Sequence, residues 1–360
     1  MKKFKNKFYY KNFYLNIFLS VFFSHVFYRI TFIDRIEAEF SLIEQIVTRK
    51  LETTSFFVES PNFTLIGIML KIDTIDAYIL FVYFTSMFLL IAIIANLKYL
   101  GTYSTLFVFT GWLLTFSWFM GHIDILSVLF IVLISKNIES ENSLKPIIIF
   151  YSIILSFNHN AIAVISFLCF FILASNAKKY YFAIYSIIGQ VLGNVILRIY
   201  LSEIGFSGRS RFRFVFNENV IQNSINFVSE NLIALIWSGF LGFIIIFIIF
   251  STTVPWDMSR NLFIALLICI FFTCIALDTS RIFSLSIIPI ILHVIKNVKE
   301  SSFLEKYMAY FFYIVFLANI IIGPYFVHGN VSSESPNNLV ESYYNFIARM
   351  VNSLMSNIWN

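Results

Sequence analysis

The chain has 360 residues, 59% of them hydrophobic and only 12% charged, with a net charge of +5. Mean hydropathy is +0.82, and the apolar residues fall in repeated runs of helical length, which excludes a soluble enzyme and an outer-membrane β-barrel. The positive charge reads as a topology signal and not as a nucleic-acid footprint, so the expectation is an all-α, polytopic integral membrane helix bundle forming a single domain over residues 1–360.

Met1 to Lys11 carries five lysines ahead of an apolar stretch. That stretch is long and lacks a small-x-small cleavage site, so a retained anchor helix is expected in place of a signal peptide. Eleven spans follow from the apolar runs: Asn12 to Ile33, Ile75 to Ala95, Tyr103 to Phe119, Ile123 to Ser135, Pro146 to Phe157, Ala161 to Ser175, Tyr181 to Leu201, Asn231 to Phe250, Asn261 to Leu277, Ile282 to Ile295 and Tyr307 to Tyr325. Placing the N-terminus inside puts more than half of the 25 Lys and Arg in the tail and inner loops, which gives a cytoplasmic N-terminus and a periplasmic C-terminus. The Ile-, Phe-, Asn- and Lys-rich composition fits an AT-rich bacterial gene, and the expected location is a bacterial inner membrane.

Three outer segments are long: 34–74, 202–230 and 326–360. In the first, Ile36, Phe40, Ile43, Val47 and Leu51 recur with a helical period, which predicts an interfacial helix, and Phe63 to Leu70 predicts a second. Leu339, Tyr343, Phe346, Ile347, Met350 and Leu354 repeat the pattern near the C-terminus. The run from Ile123 to Ser135 rises only about 20 Å, less than a hydrocarbon core of about 30 Å. Its hairpins are therefore expected to stop short of the outer surface, with their turns at the bottom of an outward recess.

On that outer face the topology gathers Asp34, Glu37 and Glu39, His122 with Asp124, His159, then Arg209, Arg211, Arg213, Asp278 and Arg281. A neutral imidazole beside a carboxylate, as at His122 and Asp124, hydrogen-bonds sugar hydroxyls or acts as a base, while Asp124 also suits a helix start. His159 stands between Asn158 and Asn160, where turn chemistry is the alternative to a binding role. Three guanidiniums in one outer loop suit a pyrophosphate-linked lipid. Asp278 and Arg281 share a short turn, either as a self-neutralising pair or as the wall of the recess. The three cysteines lie inside apolar runs and form neither a disulfide framework nor a metal motif. No Gly-rich phosphate loop, GxSxG, HExxH or zinc spacing occurs, so no cofactor is required by the sequence, and a divalent metal stays open.

The order of parts resembles the Wzy and EpsG-like bacterial polysaccharide polymerases, whose architecture overlaps the GT-C glycosyltransferases. The likeness covers roughly the first half: the acidic run Asp34-Arg35-Ile36-Glu37-Ala38-Glu39, then Glu59-Ser60-Pro61-Asn62, the span from Ile75, the turn Gly121-His122-Ile123-Asp124 and the turn Phe157-Asn158-His159-Asn160. EpsG-like members usually carry an Arg in the first of those turns, where this chain has His122 and Asp124. The resemblance implies polymerisation of undecaprenyl-diphosphate-linked oligosaccharide units into O-antigen or capsule at the outer face. Its partners would be that lipid-linked oligosaccharide, the bilayer and a chain-length regulator protein, with no nucleic acid. It implies catalytic roles for Asp124 and the first-loop carboxylates Asp34, Glu37 and Glu39, and substrate binding by His122, His159, the three arginines, Asp278 and Arg281. The alternatives are a GT-C enzyme adding one sugar from a polyprenyl-phosphate donor, and a lipid-linked oligosaccharide flippase. A flippase would show internal repeats and spans broken by Gly or Pro.

Overall fold

The computed structural model describes residues 2–28, 36–48, 62–118, 120, 124–138, 146–174, 176–206, 218–274, 279–323, 326–328 and 330–332. Helix α1 (Lys2–Phe22) passes into a π-helical turn, Phe23–Phe27, where the His25 ring meets the Tyr83 hydroxyl at 3.0 Å. The two helices expected in the first outer segment are present as α2 (Ile36–Val47) and α3 (Asn62–Met69). Thr74 accepts from the Ala77 amide and starts α4 (Ile75–Asn96), with Asp76 at the positive end of the helix. A 3-10 segment, Leu97–Phe109, leads to α5 (Gly111–Trp118).

Next come α6 (Asp124–Ile138), α7 (Ile147–Asn158), α8 (Asn160–Leu173) and α9 (Asn176–Glu203), the last 28 residues long. Helix α10 (Glu218–Glu230) precedes α11 (Leu232–Phe240), α12 (Phe243–Thr253), α13 (Trp256–Thr273), α14 (Thr279–Ser286), α15 (Ile288–Lys296) and α16 (Ser302–Ile322). A short antiparallel hairpin, Phe326–His328 with Asn330–Ser332, follows α16 in a structure that is otherwise helical among the described residues. The expected helix from Leu339 to Leu354 lies outside the described residues.

Among the described residues, four helical stretches are long and apolar enough to cross a membrane, 75–108, 178–203, 256–273 and 302–322, or five with α11 and α12 counted as one bent span. Helices α7 and α8 are equally apolar but have only 12 and 14 residues. The long helices α9, α13 and α16 turn apolar faces outward: Ile184 and Val191, Phe263 and Leu267, and Ile321 are all exposed. Such faces are stable against lipid and not against water. The inner layer is α5 and α15, in which Trp112, Ile290, Ile291 and Val294 are fully or almost fully buried.

Close backbone approach builds this bundle. On α9, a Cβ at Gly189 would lie 2.6 Å from the Ile149 carbonyl, and one at Gly193 2.6 Å from that of Ile153, so this small-xxx-small pair seats α9 directly on α7. Asn194 tightens the seam by donating to Ser156 and Asn160, both at 3.1 Å.

Broken helices set free backbone groups that have no water to turn to in an apolar interior. Helices α11 and α12 meet at 96°, with Leu241 at φ 48°. Asn319, 1% exposed on α16, accepts from the Gly242 amide at 2.6 Å and donates to the Phe109 carbonyl at 3.2 Å, where the 3-10 segment ends. One side chain thus satisfies two breaks. Asn319→Leu orphans both groups and is expected to cost about 1–3 kcal/mol for each. The check is the thermal unfolding midpoint in detergent, and an unchanged midpoint would refute this account of the breaks.

Candidate active site

Asp124 is the first residue of α6 and Arg281 lies in the first turn of α14. They come from turns 157 positions apart, and the Arg281 Nε and Asp124 Oδ2 are 3.1 Å apart, with both side chains 7% exposed. Two of the residues singled out from the sequence therefore form one buried ion pair. The carboxylate partner of Arg281 among the described residues is Asp124, and Asp278 lies outside them. The helix start favours the carboxylate through the aligned amides of α6. Burial penalises both charges, which are tolerated because each compensates the other.

Thr115 on α5 and Ser284 on α14 share a hydrogen bond of 2.6 Å, and Ser284 also donates to the Arg281 carbonyl. These contacts hold the turn of α14 that presents Arg281. The Trp118 indole donates to the Tyr28 carbonyl at 2.7 Å, which ties the end of α5 to the end of the π-helical turn that follows α1.

Asn158 extends the site toward the loop helices. It is fully buried, accepts from the Asn62 amide of α3 at 2.6 Å and donates to Ser127 at 2.6 Å. Ser127 is one turn along α6 from Asp124. His159 follows, 8% exposed, and caps α8 by accepting from the Ile162 amide through Nδ1 at 3.5 Å. A neutral ring in that arrangement carries its proton on Nε2. The turn role expected of His159 is present in this cap.

Glu39 on α2 is 6% exposed and lies beside the Tyr78 phenol, together with Thr64 of α3. Gly67 lets α3 pack against Ile43 and Tyr78. The first-loop carboxylate thus sits in the α2–α3–α4 contact. Asp34, His122, Arg209, Arg211, Arg213 and Asp278 lie outside the described residues, as does the side chain of Glu37. Among the described residues no three His, Cys, Asp or Glu side chains converge as a metal site. Cys169 and Cys269 are buried with their sulfurs 3.5 Å apart between α8 and α13.

Comparison with protein-family models, curated proteins and solved structures found no match for this chain. The likeness to polysaccharide polymerases therefore rests on the order of sequence segments alone.

Sequence reasoning missed Asn62, Ser127, Thr115 and Ser284. Ser127 and Ser284 carry a local signal, each three residues after a charged candidate, Asp124 and Arg281, on the same helical face. Asn62 and Thr115 are ordinary polar residues whose partners are 96 and 169 positions away.

Proposed function

We propose that this protein is a membrane glycosyltransferase that polymerises undecaprenyl-diphosphate-linked oligosaccharide units at the outer face of a bacterial inner membrane. The observation that carries the reading is the buried Asp124–Arg281 pair at the end of the bundle where the outer-segment helix α3 packs. It sets a candidate base beside a candidate diphosphate ligand. A diphosphate that takes up the Arg281 guanidinium releases the Asp124 carboxylate for proton transfer. The acceptor hydroxyl oxygen then bonds to the anomeric carbon as the carbon–oxygen bond to diphosphate breaks. The hydroxyl proton passes to Asp124, and the diphosphate leaves with the bonding electron pair, its charge stabilised by Arg281 with Arg209, Arg211 and Arg213. His159 and His122 orient the sugars, and Asp34, Glu37 and Glu39 serve the acceptor side.

A lipid-linked oligosaccharide flippase is the second reading, favoured by the 96° break between α11 and α12, because discontinuous helices serve substrate sites in transporters. One experiment separates the readings: the surface polysaccharide of a deletion strain, with the gene restored as control, on a gel that resolves chain length. Polymerisation predicts collapse of the ladder to single-unit lipid-linked material. An intact ladder with a shifted repeat mass indicates a GT-C enzyme adding one sugar. An unchanged profile removes both enzymes, and outward-facing lipid-linked units lost in the deletion indicate transport.

A further inference from the structure

We infer that Asn158 is a positioning residue, and that the row Asn62–Asn158–Ser127 fixes helix α3 relative to the Asp124–Arg281 pair so that the acceptor sugar is held against the base. The inference rests on the glycosyl-transfer reading of that pair. Its geometry stands on three observations. Both hydrogen bonds of the row are 2.6 Å long, and Asn158 is fully buried, so the amide is not a surface residue that happens to find partners. The row joins three segments that the chain keeps apart, with 96 positions between Asn62 and Asn158 and 31 between Asn158 and Ser127. And the row adjoins candidate chemistry at two points: Ser127, at one end, lies one turn from Asp124, and Asn158, in the middle, directly precedes His159.

The side-chain type matters because a carboxamide offers a donor and an acceptor in one rigid plane. Asn158 uses the acceptor toward α3 and the donor toward α6. Leucine fills similar space and offers neither. The apolar packing of α3 runs from Phe63, 2% exposed and edge-on to Phe81, to Gly67 against Ile43 and Tyr78, and such contacts are non-directional. The polar tie fixes where the N-terminal end of α3 sits on that apolar surface, so its loss lets that end shift. A misplacement of about 1 Å is enough to lower turnover roughly 100-fold in a site that works by orientation.

The test uses the full-length protein in vesicles with lipid-linked oligosaccharide units, comparing wild type with Asn62→Ala, Asn158→Leu and the double variant. Asn62 is only partly buried, so Asn62→Ala keeps the test open if Asn158→Leu folds poorly. Two readouts are taken: the rate of chain lengthening, split into kcat and KM, and backbone hydrogen exchange over residues 62–69. The expected result is a roughly 10- to 100-fold fall in kcat for each single variant, a double variant no slower than the slower single, and faster exchange in 62–69 in all three. Losses that multiply in the double variant would overturn the shared row. Unchanged exchange would overturn the tie itself. Faster exchange with unchanged kcat would leave the tie as a structural contact and overturn the positioning role. A wild-type protein that lengthens no chain would instead overturn the glycosyl-transfer reading, and the exchange data would still report whether the tie exists.

Discussion

Leucine in place of Asp124 is expected to destabilise the protein by about 3–5 kcal/mol and to abolish chain lengthening, whereas adding Arg281→Met restores the stability without restoring activity. The single change leaves a guanidinium 7% exposed with its carboxylate partner at 3.1 Å removed. Breaking a buried pair from one side costs more than the pair ever contributed, because pairing mainly offsets the desolvation of two ions. Removing both charges removes that penalty, so the double variant should unfold near the wild-type temperature in detergent. Activity separates structure from chemistry. If the pair only held α6 to α14, the recovered double variant would lengthen chains, and that result would reject Asp124 and Arg281 as reacting groups.

The second large effect is expected at Gly111, the first residue of α5. A Cβ there would lie 2.1 Å from the Ser238 carbonyl oxygen and 2.6 Å from that of Gly239, both backbone atoms. Backbone cannot swing aside as a flexible side chain does, so Gly111→Ala must push α5 and α11 apart. Overpacking of this kind costs about 1–3 kcal/mol, and more when backbone has to move. The consequence reaches the site, because Thr115, one turn along α5, bonds Ser284 of the helix that carries Arg281. Gly101→Ala is the control: nothing lies within 4 Å of its Cβ position and only its φ of 67° is unfavourable, at about 1 kcal/mol. Thermal unfolding and chain-lengthening rates of the two variants should diverge, with Gly111→Ala losing both. Equal behaviour would show that the α5–α11 crossing is slack and does not govern the position of Arg281.

Helix existence was legible in the sequence because it is local. The repeat Ile36, Phe40, Ile43, Val47 predicted α2, and Phe63 to Leu70 predicted α3. Continuity of the spans was not legible. The run Asn231 to Phe250 reads as one apolar helix, yet it breaks at Leu241 because Asn319, 77 positions away from Gly242, satisfies the freed amide. The pairing of Asp124 with Arg281 was hidden in the same way. Their being on one face followed from topology, but no spacing announces a contact between turns 157 positions apart. The neighbour of Glu39 was hidden in the same way: packing of α2 on α4 sets it beside Tyr78.

The most direct test of the central claim is a chain-length assay with the purified full-length protein in vesicles, supplied only with undecaprenyl-diphosphate-linked oligosaccharide units. The account predicts a ladder of lipid-linked products with wild type, none with the Asp124→Leu/Arg281→Met variant of near-wild-type stability, and release of undecaprenyl diphosphate in step with each linkage formed. Units that stay unjoined with active, folded wild-type protein, or a ladder that persists when both charges are gone, would contradict it.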